Sequence, residues 1–259
     1  MGMGKIISFC NQKGGVGKST SVINAGAYLS ALGRKVLLVD LDSQGNTTSG
    51  LGLKPREIQE TSYLVIMGNL PATKAIKNTE LAGMDIIPAN QDLAGATVEL
   101  VHFEDRDLKL KKALEAEKQN YDYILIDCPP SLGILTVNAL MASDEVIIPV
   151  QCEYYALEGL GQLLETINLL KNHLGAHIQI KGALLTMFDR RNRLSREIVK
   201  EMRRNFPGYV FEAIIPRNVY LAEAPSFSKT ILQHDPYSHG AKAYRQFAEE
   251  ILKIDGYKN

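Results

Sequence analysis

The residues best placed to do chemistry are a lysine-hydroxyl pair behind a run of glycines. Residues 5–20 read Lys5-Ile-Ile-Ser-Phe-Cys-Asn-Gln-Lys-Gly-Gly-Val-Gly-Lys-Ser-Thr20, an apolar strand running into a glycine-rich loop and then a helix. Gly14, Gly15 and Gly17 can take backbone angles that a side chain would forbid. Consecutive amides, with Val16 and Thr20 among them, can then converge on phosphate oxygens while the helix points its N-terminus at the same place. Lys18 supplies positive charge to the β/γ-phosphates, and the Ser19 hydroxyl can sit on Mg²⁺. The usual spacing, G-x-x-x-x-G-K-[ST], wants glycine at position 12. This chain has Gln12 there and an additional lysine, Lys13, at the loop entry.

Acids must reach this loop from other strands. Lys35-Val-Leu-Leu-Val-Asp-Leu-Asp42 is a continuous apolar run of the kind buried on both faces of a parallel sheet, and it ends in Asp40 and Asp42. Ligands of such sheets bind at the carboxyl ends of the strands, so both acids should arrive at the nucleotide. Tyr121-Asp-Tyr-Ile-Leu-Ile-Asp-Cys-Pro-Pro-Ser131 is a second such strand, ending in Asp127 and stopped by two prolines. As the second half of a phosphate loop, Asp127 is placed to hold Mg²⁺ through water opposite Ser19. The segment from Leu132 to Thr136 is expected to respond to the γ-phosphate, with Gly133 as its hinge.

The remaining chain supplies the scaffold. Val22, Ala25, Gly26, Leu29 and Leu32 recur at helical spacing before Gly33, where a C-cap glycine belongs. Further strands are expected at 84–90, 145–151, 181–187 and 210–216. Helices are expected at 62–67, through most of 92–118, through Leu160 to Leu170 and from Ala243 to Leu252. This βαβα rhythm, with no linker, predicts one α/β domain over 1–259, a doubly wound, mostly parallel sheet flanked by helices. The 259 residues are 45% hydrophobic and 22% charged, with no apolar run long enough to span a bilayer. No secretory pattern precedes the first strand. Cys10, Cys128 and Cys152 lack metal-type spacing, and reduced, buried thiols in a cytoplasmic protein are expected. Formal net charge is zero, so any case for nucleic-acid binding must be local.

Lys13-Gly-Gly-Val-Gly-Lys-Ser19 resembles the deviant Walker A loop of the ParA/MinD class of P-loop ATPases. Val39-Asp-Leu-Asp-Ser-Gln-Gly-Asn46 is similar to the V-D-x-D-x-Q-G-N stretch of the ParA family. The resemblance to ParA/Soj partitioning ATPases covers essentially the whole chain. It implies ATP and Mg²⁺ as cofactors, Asp42 as the acid of hydrolysis, Asp40 one layer out from Mg²⁺, and Pro216 and Asn218 around the adenine. In the family the residue matching Lys13 reaches across a nucleotide sandwich to the partner subunit's phosphates, which implies a homodimer. Hydrolysis stimulated by a ParB-like partner is implied as well.

Charge concentrates only between Asp189 and Arg204. Laid on a helix from Ser195, Ile198, Val199, Met202 and Phe206 make an apolar face, and Arg196, Lys200, Arg203 and Arg204 cluster on another. Arg190, Arg191 and Arg193 are placed in a loop just before it. On the residues alone this could be a solvated face, as the lysines 109, 111 and 112 are read to be. The family resemblance turns the reading to non-specific binding of double-stranded DNA, hence a nucleoid-associated location. Where relatives carry another basic residue after Asn218, this chain has Val219 and Tyr220, and Tyr220 could pack beside the DNA backbone instead. A MinD-like membrane switch would need a basic amphipathic anchor, whereas the C-terminal residues read as a packing helix with a polar tail. A metabolic ligase built on the same loop would need its own substrate pocket.

Overall fold

The apolar runs that end in acids become the centre of a sheet. The computed structural model describes residues 4–153 and 158–257. Its strands are β1 (Lys5–Phe9), β2 (Val36–Asp40), β3 (Lys77–Asn78), β4 (Met84–Ile87), β5 (Tyr123–Asp127), β6 (Glu145–Gln151) and β7 (Gln179–Thr186). They lie in the order β3-β4-β2-β5-β1-β6-β7. All neighbours are parallel except β3 against β4. β2 and β5 are buried at every residue, which is why their sequences are apolar throughout instead of alternating.

The helices are α1 (Lys18–Ala31), α2 (Asn46–Gly50), α3 (Ser62–Ile66), α4 (Ala72–Ala75), α5 (Leu93–Glu99), α6 (Lys109–Leu114), α7 (Ile134–Ala142), α8 (Glu158–Leu174), α9 (Arg193–Asn205), α10 (Val219–Glu223), α11 (Ile231–His234) and α12 (His239–Ile254). Strand side chains alternate between two cores. Ile6, Leu37, Val39, Ile124 and Ile126 pack with α5 to α9 on one face, and Ile7, Phe9, Leu38 and Leu125 with α1, α11 and α12 on the other. The fold is therefore the doubly wound α/β architecture expected. Because β1 sits between β5 and β6, the loop after β1 lies beside the ends of β5 and β2, where Asp127 and Asp40 stand in register.

The structure corrects three expectations. Residues 210–216 form no strand: they meet β7 and the residue just beyond it through the isolated bridges Ala183–Val210 and Phe188–Pro216 and a single further backbone bond from the Ile215 amide to the Leu185 carbonyl at 2.9 Å. Glu250 of α12 accepts the amides of Glu212 at 2.8 Å and Ala213 at 3.1 Å, so amides that a ladder would need bond to a side chain instead. The helical stretch 92–118 is broken into α5, α6 and two 3-10 turns. Asp105, between the helices, holds Lys109 at 3.0 Å and Lys112 at 2.7 Å. Arg193 is the first residue of α9, not part of the preceding loop. Asn192 caps that helix by accepting from the Leu194 amide at 2.9 Å, a contact worth about 1 kcal/mol.

Candidate active site

The loop between β1 and α1 is held at its entry and at its tip. Asn11 accepts the Lys13 amide at 2.9 Å and donates its side-chain nitrogen to the Pro149 carbonyl at 2.7 Å. Thr186, at the end of β7, donates to the Val16 carbonyl at 2.8 Å. Gly15 and Gly17 adopt φ of +73° and +88°, left-handed values that a side chain strains. Gly14 does not have a left-handed φ, and a Cβ added there would meet only the Pro130 Cβ, at 3.9 Å. Of the three glycines, then, Gly14 alone is not required by the fold of its own chain.

Gly17 precedes α1 with no side-chain cap and no acid in the first turn. The amides of the first helical residues, including those of Ser19 and Thr20, are thus left for an anion. The Lys18 side chain donates to the Lys13 carbonyl at 3.3 Å, and Lys18 is only 7% exposed. The Lys13 ammonium lies 4.0 Å from Glu153, which also pairs with Arg217 at 3.0 Å.

Three acids meet this loop. Asp40 accepts the Asp42 amide at 3.1 Å, and from Thr48 the amide at 2.9 Å and the hydroxyl at 2.7 Å. Burial and the neighbouring Asp127 charge push its carboxyl up to about 7 despite those bonds. Asp127 Oδ2 accepts from the Thr47 hydroxyl at 2.7 Å, while Oδ1, also buried, has no hydrogen-bond partner among the described residues. Burial pushes Asp127 up to about 6. Ser19 lies close enough to pull it down without meeting hydrogen-bond geometry at Oδ1; Thr47 and the Lys18 charge act the same way, and Asp42 opposes them. Asp42, 8% exposed, accepts the Gln44 amide at 3.0 Å. It lines a cavity of about 290 Å³ together with Pro130, Ser131 and Gly133. An orphaned carboxylate oxygen near a helix-terminal hydroxyl, with a second buried acid behind it, fits a divalent cation, whose charge would favour ionising both.

Pro216 and Asn218 line a cavity of about 700 Å³ with Phe188 and Arg217 at the end of β7, where Met187 turns the chain with a φ of +52°. The Asn218 side-chain Oδ1 caps α10 by accepting from the Leu221 amide. The basic residues are all exposed, and Arg190 and Arg191 also line the cavity of Pro216 and Asn218. Ile198 and Met202 bury one face of α9, and Ser195 ties it to the Cys152 carbonyl at 3.0 Å. Arg191, Arg193 and Arg203 are paired with Asp189, Glu197 and Glu212 at 3.0, 2.8 and 2.8 Å. Among the described residues Arg190, Arg196, Lys200 and Arg204 have no carboxylate within 4.0 Å, and the last three stand four residues apart along one stripe.

Asn11, Thr47, Thr48 and Thr186 are not legible as site residues in the sequence. Their only signal is a polar side chain beside a motif, and each partner is fixed by tertiary structure.

The family model described as "AAA domain" matches residues 4–180. The Sporulation initiation inhibitor protein Soj of Bacillus subtilis (strain 168) is 53% identical over 249 residues, covering 96% of this chain and 98% of the relative. The Chromosome-partitioning ATPase Soj of Treponema pallidum is 50% identical over 256 residues, 99% of this chain and all of the relative. A cobyrinic acid a,c-diamide synthase from Mycobacterium smegmatis, solved with ADP and magnesium, superposes with a TM-score of 0.86 at 38% identity, covering 97% of this chain and 95% of that one.

Proposed function

Since the chain belongs to the Soj/ParA family of chromosome-partitioning ATPases, we propose that it is an ATP-driven dimerisation switch. In its ATP state it grips DNA non-specifically, and it releases DNA on hydrolysis stimulated by a ParB-like partner. The observation that carries this reading is Gly14. It is exposed, its φ is not left-handed, and its own subunit has room for a side chain there. Nothing among the described residues of its own subunit forbids a side chain there, and a glycine at this exposed point leaves space for a second loop to approach closely, with Lys13 reaching over to the partner's phosphates.

The geometry supports the following roles. The amides of Gly14 to Thr20 and the Lys18 ammonium bind and orient the phosphates. Ser19 and the free Oδ1 of Asp127 would hold Mg²⁺, with Asp40 behind them. When bound, Mg²⁺ neutralises charge on the transferring phosphoryl group. Asp42, at the edge of its small cavity, orients the attacking water and accepts its proton. Pro216 and Asn218 flank the base. Two subunits would present two stripes of Arg196, Lys200 and Arg204, so dimerisation multiplies phosphate contacts on one duplex. In α12, Tyr244, Phe247, Ile251 and Leu252 are buried in the core, so this face of the helix is taken up by packing.

The test is light scattering of the purified protein with ADP-Mg²⁺ and with ATP-Mg²⁺, alongside phosphate release. A dimer that forms only with ATP and disappears as phosphate is released supports the switch. A monomer in both states overturns it. The likeness to the Mycobacterium smegmatis synthase favours one second reading, a carboxylate-activating ligase. ATP turnover that requires a small carboxylic acid, with no DNA binding in any state, would replace the switch by that reading.

A further inference from the structure

α2, which follows the Asp42 turn, carries two consecutive threonines that are 0% exposed, and both hydroxyls end on acids of the site. Thr48 is fully engaged: it donates to Asp40 Oδ2 at 2.7 Å and accepts the Ala89 amide at 2.9 Å. Thr47 donates to Asp127 Oδ2 at 2.7 Å, across 80 residues of sequence. The other oxygen of the same carboxylate is buried and makes no hydrogen bond among the described residues. A hydroxyl has one proton to give. Given to Oδ2, it fixes the plane of the carboxylate and leaves Oδ1 as the oxygen free to meet a cation near Ser19.

We propose that Thr47 is a positioning residue for the cation site, holding Asp127 so that Oδ1 faces the metal and fastening the Asp42 turn to β5. A general rule supports this: residues that hydrogen-bond a metal-binding carboxylate set its orientation and ionisation, and removing them weakens metal binding. The structure adds that the bond joins two parts of the site. Asp42 lies five residues before Thr47 in sequence, and α2 is tied to both Asp40 and Asp127, so the turn that carries Asp42 cannot shift without pulling on Asp127. The inference rests on the Mg²⁺-nucleotide reading above.

The test is calorimetric binding of ADP with Mg²⁺ and with a chelator, to the wild-type chain and to Thr47→Ser, Thr47→Ala and Thr47→Val. Thr47→Ser keeps the hydroxyl. Thr47→Ala removes it and leaves room for a water, so it remains informative if Thr47→Val does not fold. The expected result is a wild-type gain in ADP affinity with Mg²⁺ that Thr47→Ser retains and that Thr47→Ala and Thr47→Val reduce by about tenfold. Affinity in chelator should stay within about twofold throughout, since the variants leave the phosphate cradle intact. A full Mg²⁺ gain in Thr47→Ala overturns the assignment. So does an equal loss with and without Mg²⁺, or a Thr47→Ser variant as weak as Thr47→Ala, because either result makes Thr47 a packing residue. A wild-type protein with no Mg²⁺ gain at all overturns the metal reading itself, and the role of Thr47 with it.

Discussion

Removing the unpaired cations of α9 and of the loop before it should change the salt dependence of DNA binding by an amount the structure sets. Arg190, Arg196, Lys200 and Arg204 are exposed and lack a carboxylate partner among the described residues, whereas Arg191, Arg193 and Arg203 are already paired. If each unpaired cation neutralises one phosphate, log K falls against log salt with a slope of about −3.6 for one subunit and about −7 for two. Between 50 and 200 mM salt, that is a loss of about 150-fold for a monomer and about 20,000-fold for a dimer. Arg196→Ala with Lys200→Ala removes two contacts per subunit and should halve the dimer slope to about −3.6. Arg193→Ala with Arg203→Ala should move it by less than about 1, since those charges are partly satisfied within the chain. The assay is fluorescence anisotropy of a labelled duplex of arbitrary sequence, with a non-hydrolysable ATP analogue, over a salt series. A slope that Arg196→Ala/Lys200→Ala leaves unchanged, or that the Arg193/Arg203 pair changes more, would refute the assignment of the contact to this stripe.

Gly14→Val should bind ATP at about the wild-type affinity, because its own subunit has room at that Cβ, yet stay monomeric. ATP-dependent dimers of this variant on a sizing column would remove the close approach of two loops from the account. Asp42→Ala should lower phosphate release by about a hundredfold or more while leaving ATP bound, as loss of a general base does; hydrolysis at the wild-type rate would exclude Asp42 from the chemistry. The buried acids also predict a pH effect. Asp40 and Asp127 are raised to about 7 and about 6, so the folded state holds protons that the unfolded chain has already lost. The stability these protons provide is full below about pH 4 and is lost as pH rises through 6 to 7. In chelator, the nucleotide-free protein should lose about 3 kcal/mol between pH 5.5 and 7.5, or ~6–12 °C in Tm, and Mg²⁺ should restore part of that at the higher pH. A Tm that rises over this range in chelator would contradict the burial of unpaired acids.

The phosphate cradle and the central strands were legible because their signals are contiguous. Gly15 to Ser19 are contiguous where the loop runs into α1, and Asp40 and Asp127 end apolar runs whose burial on both faces leaves a plain trace in composition. What was not legible depends on partners far away in sequence. Residues 210–216 have the apolar content of a strand, but Glu250 takes two of their amides. The basic run reads as seven equivalent cations, but Glu212 and Asp189 engage two of them from outside the helix and Glu197 a third from the next turn. Thr47 looks like an ordinary helix threonine until Asp127 arrives on the neighbouring strand. Lys13, which the family resemblance assigns to a partner's phosphates, rests near Glu153 of its own chain, a half-exposed pair weak enough to give way.

The central claim is that ATP sets the DNA-bound state, and the direct measurement is binding to a duplex of arbitrary sequence without nucleotide, with ADP-Mg²⁺ and with ATP-Mg²⁺, each at low and high salt. The account predicts binding that appears with ATP-Mg²⁺, weakens steeply with salt and is absent in the other two states. Equal binding in all three states, or none in a protein that still dimerises with ATP, would contradict it.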